Sequence, residues 1–526
     1  MVNTSTQLAR NIIGQLIENG VTDVVLSPGS RNAPLSIALF AAEQKGLIKL
    51  HVRIDERTGG FFALGIAKAS ASPVAVVCTS GTAVANYHPA VLEAHHSQVP
   101  LLVITADRPE RLRQSGANQT TLQAKIFGEA TPFARDIANP NYNMSEAFDA
   151  LLSGPIHLNV QFDEPLLPDD EDDWLRETVR GDVAKPARPK LRNVMITESR
   201  GVVVVGHDRG GLGVKEISEF AQSIGWPLVC EDPLSFPTSV PHASLFLTSS
   251  KIRQALQPEV VVVIGRTTLS RSLNAFIKSA KREIVIDPRV AMIDINRNAD
   301  QIFLALPNVT RNNELDDAWP ALWNSYADEV STLVEDLPAW SEALIARTVA
   351  GLLPDESTLF VSSSRPIRDL DGFAGSRGNI ETFANRGLAG IDGNISTALG
   401  IASQRSSTVA ILGDLSFLHD VTGLIGAGDI NLRLLVINND GGGIFSTLPQ
   451  HNASGFEKLF GTPHGLDPAL IAASMGVSST TVVNIDELQR EMFEPVIGLS
   501  VVVARVPSRQ ENARMILELY QGIESL

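Results

Sequence analysis

Cysteine is almost absent: 526 residues contain two, Cys78 and Cys230. Both lie in apolar runs, AVVCTS and PLVCED, and no Cys-x-x-Cys or Cys/His spacing suggests zinc. Each reads as a small buried hydrophobe. Aromatic residues are scarce at 6%, so aliphatic side chains must build the cores. No run approaches the ~18 apolar residues of a membrane-spanning helix. The N-terminal MVNTSTQLAR lacks the apolar stretch of a signal peptide, so a cytoplasmic location is expected. Basic residues are outnumbered 43 to 59, for a formal net charge of -16. That balance disfavours non-specific binding to nucleic acid or a membrane surface, both anionic. A small anionic substrate stays open, because a local cluster of arginines overrides a global field.

The length calls for about three domains. Leu8, Ile12, Ile13, Leu16 and Ile17 form one helical face, closed by Asn19-Gly20. Strands are predicted at 23–26, 74–78, 101–105 and 155–160. Another is predicted at 48–54, where Ile48, Leu50, Val52 and Ile54 alternate with polar residues. Residues 167–197 break the rhythm. They are acidic at 169–173, then proline-rich and basic (Pro186, Arg188, Pro189, Lys190), and read as a surface linker. Further strands are predicted at 201–205, 260–264 and 283–286, then at 359–361, 408–412, 434–437 and 500–506. The expected architecture is α/β, three doubly wound parallel-sheet domains in series: 1–166, 198–338 and 339–526, with the linker at 167–197. GHDRGGLG (206–213) lacks the G-x-G-x-x-G spacing of a dinucleotide loop and reads as a strand–helix turn. His51, His88, His95 and His96 are scattered and suggest no metal site.

Parallel sheets place ligands beyond the carboxyl ends of their strands. AILGDLSFLHD ends one strand at Gly413-Asp414, and LRLLVINNDGGGIF ends the next at Asn438-Asn439. Asn439 follows Asp414 by 25 positions, which fits strand–helix–strand and sets both ends side by side. Alone, Asp414 reads as a helix cap and the glycines as a loop. Together, a carboxylate, an amide oxygen and a carbonyl from Gly441–Gly443 are hard ligands suited to Mg²⁺ bridging to phosphate. A helix starting near Leu415 would offer free N–H groups to a diphosphate. Glu56, after the strand at 48–54, is unremarkable alone and gains meaning beside that site.

The pairing resembles the thiamine-diphosphate enzyme superfamily. There a glutamate hydrogen-bonded to the cofactor's aminopyrimidine favours the imino tautomer, which then takes the thiazolium proton. Within that group, SPGSRNAPL (27–35), RIDERTGGFFALG (53–65), TSGTAVAN (79–86), TADRP (105–109), GANQTT (116–121), NRGLAGIDG (385–393), GDLSFLHD (413–420) and NNDGGGIF (438–445) resemble the MenD family. These are the 2-succinyl-5-enolpyruvyl-6-hydroxy-3-cyclohexene-1-carboxylate synthases of menaquinone biosynthesis. The resemblance spans nearly the whole chain and is weakest in the linker and middle domain.

The resemblance implies that 2-oxoglutarate loses CO₂ on thiamine diphosphate and that the remaining unit adds to isochorismate. Glu56 would be the activator. Asp414, Asn439 and the Gly441 carbonyl would hold Mg²⁺ or Mn²⁺. Further cofactor contacts would come from Pro28, Ser30, Ala389, Gly390, Ile391, Gly413, Leu415, Ser416, Gly442, Ile444 and Phe445. Both substrates are dicarboxylates, which arginine's planar fork suits. Arg31, Arg108, Arg271, Arg368 and Arg386 would bind them, with Ser30, Asn118, Gln119 and Ser364 adding neutral hydrogen bonds. Ile444, Phe445 and Leu448 would form an apolar wall. A homodimer or dimer of dimers is implied, with the cofactor between subunits. Leu415 departs from the glycine that most of the superfamily carries after Gly-Asp, and Asp440 stands where asparagine is frequent. Two rivals remain at this point: another thiamine carboligase or decarboxylase acting on a 2-oxo acid, and a non-catalytic binding module. Retention of Glu56, Asp414 and Asn439 together argues against the second.

Overall fold

The apolar runs do become strands. In the computed structural model, which describes every residue except Met1, 185–188, 290–298 and 313, three parallel sheets and a two-stranded ribbon form the scaffold. Pro186 and Arg188 of the expected linker lie outside the described residues.

The chain divides into two compact units. The first comprises Met1–Ala187, Gly387–Ser406 and His419–Asn431. Its sheet holds β1 (Asp23–Leu26), β2 (Lys49–Val52), β3 (Val74–Cys78), β4 (Leu101–Asp107), β5 (Ala134–Ile137) and β6 (Ile156–Gln161), in the order β2-β1-β3-β4-β6-β5. The amphipathic helix Thr4–Glu18 buries Leu8, Ile12, Ile13, Leu16 and Ile17, and ends on Asn19 and a left-handed Gly20. Helix Glu56–Ser70 packs against helix Asn394–Ala402. The two backbones nearly touch: a Cβ on Gly65 would lie 2.2 Å from the Thr397 carbonyl oxygen, and one on Gly400 2.1 Å from that of Phe62. Only glycine permits this crossing. The acidic stretch after residue 167 is fastened to this unit, with Asp170 accepting from Nη2 and Nη1 of Arg10 at 2.6 and 3.0 Å and Asp173 pairing with Lys45 at 2.6 Å.

The second unit comprises Arg188–Arg386, Ser407–Leu418 and Leu432–Leu526. One sheet holds β8 (Gly201–Val205), β9 (Leu228–Cys230), β10 (Val260–Ile264), β11 (Arg282–Ile286) and β12 (Gln301–Phe303), ordered β12-β11-β10-β8-β9. β7 (Asn193–Ile196) and β13 (Asn308–Arg311) make the ribbon. The other sheet holds β14 (Thr358–Val361), β15 (Glu381–Phe383), β16 (Thr408–Gly413), β17 (Leu432–Asn438), β18 (Ser478–Val482) and β19 (Leu499–Arg505), ordered β15-β14-β16-β17-β19-β18. Residues 206–213 form the turn between β8 and helix Val214–Ile224. Asp208 fills that turn with ion pairs to Arg289 at 2.6 Å and Arg266 at 3.0 Å.

Both cysteines are buried thiols. His51 Nε2 donates to the Asp23 carboxylate at 2.8 Å. Among the described residues no helix is long and apolar enough to cross a membrane. The period-two segment at 48–54 is only partly a strand: β2 covers 49–52 at the sheet edge. Ile48 is buried and Leu50 packs against the core, while Val52 is 58% and Ile54 67% exposed, so the alternation marks a core face only in its first half.

Candidate cofactor and active site

In the first unit, the predicted polar residues gather past the carboxyl ends of β1 to β4. Glu56 is the first residue of its helix and half-buried, behind Asp55, whose carboxylate accepts the Arg57 N–H at 3.0 Å and the Thr422 hydroxyl at 2.9 Å. Arg53 beneath it is buried, stacked over the Phe62 ring at 4.1 Å, and donates to the Ile425 carbonyl at 3.0 Å. Burial draws its guanidinium down to about 10, against the pull of nearby Asp420. Pro28 and Ser30 are exposed. Arg31 donates to the Phe162 carbonyl at 3.1 Å, but its buried Nε has no hydrogen-bond partner among the described residues. Arg108 donates to the Ser80 hydroxyl at 2.9 Å and the Gln119 carbonyl at 2.8 Å. Burial and then the positive charge of Arg31 lower its pKa. Arg31 also pairs with the exposed carboxylate of Glu164 at 3.4 Å, and two neighbouring guanidiniums suit a dicarboxylate. Asn118 and Gln119 are exposed, and Gln119 holds a left-handed backbone while its amide donates to Ser80 O at 2.9 Å.

The loop carrying Ala389, Gly390 and Ile391 belongs to this unit too. Glu93, which the sequence reading passed over, anchors it: its carboxylate accepts Gly387 N–H and Leu388 N–H, both at 2.7 Å. Ala389 is left-handed, at φ 59°.

In the second unit, the register pairs Gly413 with Ile437, so Asp414 and Asn438-Asn439 leave the sheet side by side as the spacing predicted. The helix begins at Asp414 rather than Leu415 and is six residues long. Asp414 is 2% exposed. Its Oδ2 accepts Gly441 N–H at 2.9 Å and faces His464 Nε2 at 3.2 Å. Leu466 N–H donates to His464 Nδ1 at 3.0 Å, so Nε2 carries the proton and donates to Asp414. Burial raises the Asp414 pKa, against the Gly441 and His464 hydrogen bonds. Asn439 donates Nδ2–H to Glu342 Oε1 at 2.6 Å, while its buried Oδ1 has no partner among the described residues. Gly441 is held at φ 133°, where a Cβ would stand 2.1 Å from the Gly461 carbonyl oxygen. A Cβ on Gly413 would meet only open space. An orphaned amide oxygen and a buried carboxylate at neighbouring strand ends, with open space at Gly413, would fit a hard cation.

Asp440, whose role the sequence left unclear, caps a turn: its Oδ1 accepts His464 N–H at 2.9 Å and Gly465 N–H at 2.8 Å. Those bonds outweigh burial and lower its pKa. A cleft of ≈ 440 Å³ opens along Asn439, Asp440, Gly465, Asp467, Arg505 and Ser508. Ser416 is buried, and Leu415, Ile444, Phe445 and Leu448 are half-buried, with the Phe445 ring 5.6 Å from Phe460. Gly442 is buried, and its N–H donates to Gly461 O at 2.8 Å.

The remaining arginines are placed unequally. Arg368 donates to the Ser364 carbonyl at 2.7 Å, and burial followed by neighbouring Arg365 lowers its pKa. Ser364 is left-handed at φ 79°. Arg271 is exposed at the start of helix Arg271–Lys278. Arg386 is only 4% exposed and donates to Thr268 through Nε and Nη2, each at 3.0 Å. Glu342 and His464 gave no sequence signal, because a single acid or histidine outside a motif is uninformative.

Comparison with known proteins accords with this geometry. Residues 6–127 match the N-terminal thiamine pyrophosphate binding domain, 168–361 the middle domain, and 374–503 the C-terminal thiamine pyrophosphate binding domain. A crystal structure of benzoylformate decarboxylase from Polynucleobacter necessarius shares the fold, with TM-score 0.67 and 17% identity over 95% of this chain and 98% of that one. The fold and its matched domains therefore define a thiamine-diphosphate-dependent enzyme. The similarity to individual proteins goes further. The 2-succinyl-5-enolpyruvyl-6-hydroxy-3-cyclohexene-1-carboxylate synthase of a Nocardioides species is 39% identical over 97% of this chain and 96% of its own. That of Thermobifida fusca is 37% identical over 99% of both chains, and that of Bacillus cytotoxicus 35% over 97% and 95%. The chain belongs to the 2-succinyl-5-enolpyruvyl-6-hydroxy-3-cyclohexene-1-carboxylate synthase family.

Proposed function

We propose that the chain decarboxylates 2-oxoglutarate on thiamine diphosphate and joins the product to isochorismate, forming the compound for whose synthesis its relatives are named. The observation that carries this is full-length identity of 35–39% to those synthases. The diphosphate-side geometry supports it. Thiamine diphosphate supplies the carbon nucleophile and electron sink. Glu56 holds the proton shared with the aminopyrimidine. Asp414, the free Oδ1 of Asn439 and the Gly441 carbonyl hold Mg²⁺ or Mn²⁺. Pro28, Ser30, Ala389, Gly390, Ile391, Gly413, Leu415, Ser416 and Gly442 line the cofactor.

Arg31 and Arg108 form one carboxylate-binding pair, and Arg271, Arg368 and Arg386 serve the other charged groups, with Arg386 as the least accessible. Ser364, Asn118 and Gln119 add hydrogen bonds, and Ile444, Phe445 and Leu448 limit water. The working form is a homodimer or dimer of dimers in the cytoplasm, with domains at 1–166, 198–338 and 339–526 and a linker at 167–197. The test mixes the protein with thiamine diphosphate, Mg²⁺ and 2-oxoglutarate, with and without isochorismate, beside Glu56→Gln. Isochorismate loss that requires both 2-oxoglutarate and cofactor, and that collapses in the variant, is the expected result. Decarboxylation of another 2-oxo acid with isochorismate untouched would refute the substrate assignment and leave the cofactor site standing.

A further inference from the structure

We propose that Glu342 is a positioning residue for the cation site, fixing which end of the Asn439 amide faces the metal. The inference rests on the reading that Asp414 and Asn439 hold the cation. An asparagine amide turned by half a circle keeps nearly the same shape, so packing alone does not choose between its oxygen and its nitrogen. A hard cation takes only the oxygen. The choice falls to whatever grips the other end. Here that is a carboxylate, which only accepts: Asn439 Nδ2 donates to Glu342 Oε1 at 2.6 Å, and Oδ1 is left buried and unpartnered among the described residues.

Glu342 is built to stay in place. It is 6% exposed and begins helix Glu342–Leu352, whose N-cap Ser341 accepts Leu344 N–H at 3.3 Å. Its own N–H donates to Asn512 Oδ1 at 3.2 Å. A helix N-terminus favours a carboxylate. Its other oxygen lies 3.8 Å from Arg365 Nε, and Arg365 pairs in turn with Asp369. Gly443 completes the seat, since a Cβ there would stand 2.5 Å from Asn439 Nδ2.

Glu342→Gln tests the polarity. The new amide must turn its oxygen toward Arg365, because an NH₂ facing a guanidinium is repelled. Its NH₂ then faces Asn439, and the asparagine answers with Oδ1, presenting nitrogen to the cation. Mn²⁺ uptake by the holoenzyme, followed by electron paramagnetic resonance at saturating thiamine diphosphate, should weaken about 10- to 100-fold, the range for an outer-sphere partner of a metal ligand. The Glu342→Gln/Asn439→Asp double variant inverts donor and acceptor, returns an oxygen to the cation, and should recover most of the loss. A role confined to packing or to Arg365 predicts no such rescue. Mn²⁺ affinity unchanged in Glu342→Gln, or a double variant no better than the single one, overturns the proposal. Should Glu342→Gln fail to fold, a crystal structure of the wild-type holoenzyme with Mg²⁺ decides. Oδ1 on the cation with Nδ2 still bonded to Glu342 supports the proposal; Glu342 turned away from Asn439 refutes it. A wild type that takes up no Mn²⁺ overturns the cation reading itself, and the proposal with it.

Discussion

Glu93 lies outside every motif, yet it holds the loop that carries Ala389, Gly390 and Ile391. Its carboxylate is 3% exposed and accepts two backbone N–H groups at 2.7 Å, one on each oxygen, with the Ser97 hydroxyl at 3.1 Å and Lys68 Nζ at 3.4 Å beside them. A hydrogen bond to a charged acceptor contributes about 1.5–3 kcal/mol, and an unpaired buried donor costs a similar amount. Glu93→Ala removes both acceptors, so the loop should open more easily by roughly 4 kcal/mol, or about a thousandfold in its opening equilibrium. Glu93→Gln keeps one oxygen and turns an NH₂ against the other N–H, so about half the effect should remain lost. Hydrogen–deuterium exchange of a peptide spanning 385–393 reads the opening directly, and thiamine diphosphate affinity reads its consequence. Unchanged exchange in Glu93→Ala, in a protein that keeps its circular dichroism, would refute the anchoring argument.

Three further perturbations act on the first unit. Gly65→Ala should destabilise the protein by about 3 kcal/mol or more, because the new Cβ meets the Thr397 carbonyl oxygen at 2.2 Å with backbone on both sides; a urea midpoint within error of wild type would contradict this. Asp420, buried and bonded to Ser396 N–H at 2.7 Å, is pushed by burial to about 7 from 3.8. The folded state therefore binds its proton more tightly than the unfolded chain. Its contribution is greatest below pH 3.8 and falls by about 4 kcal/mol as pH rises to 7. The stability of Asp420→Asn relative to wild type should accordingly improve across that interval in urea titrations, and a constant difference would be contrary. His157, buried against the Thr105 hydroxyl at 2.7 Å, is lowered by burial to about 4 from 6.5, so its sign is opposite. The protein should lose about 3 kcal/mol on acidification between those values, and His157→Gln should remove that loss.

The strands that the sequence disclosed and those it hid differ by position in the sheets. β1, β3, β4, β6, β8, β10, β11, β14, β16, β17 and β19 lie inside their sheets, and runs such as VVVVI and VAVVC carry the continuous apolar signal of a strand buried on both faces. The strands that escaped, β5, β12, β15 and β18, are sheet edges, joined by the ribbon β7–β13, while two further edges, β2 and β9, lie in runs whose apolar residues the sequence did show. ARDI and SSTTV have half-solvated faces and too few apolar residues to announce themselves. The same physics divides the site. Asp414 and Asn439 were legible because adjacent inner strands fix the distance between their ends, and the Gly413–Ile437 register delivers it. Glu342, His464 and Glu93 were not, because each reaches its partner from a distant helix or loop. Asn439 and Glu342 are 97 positions apart, and Glu93 and Gly387 are 294. Ligands at strand ends follow local rules that a motif can carry. The groups that orient such strand-end residues depend on tertiary packing, and an acid without a motif looks the same in the sequence whether it grips one of them or faces water.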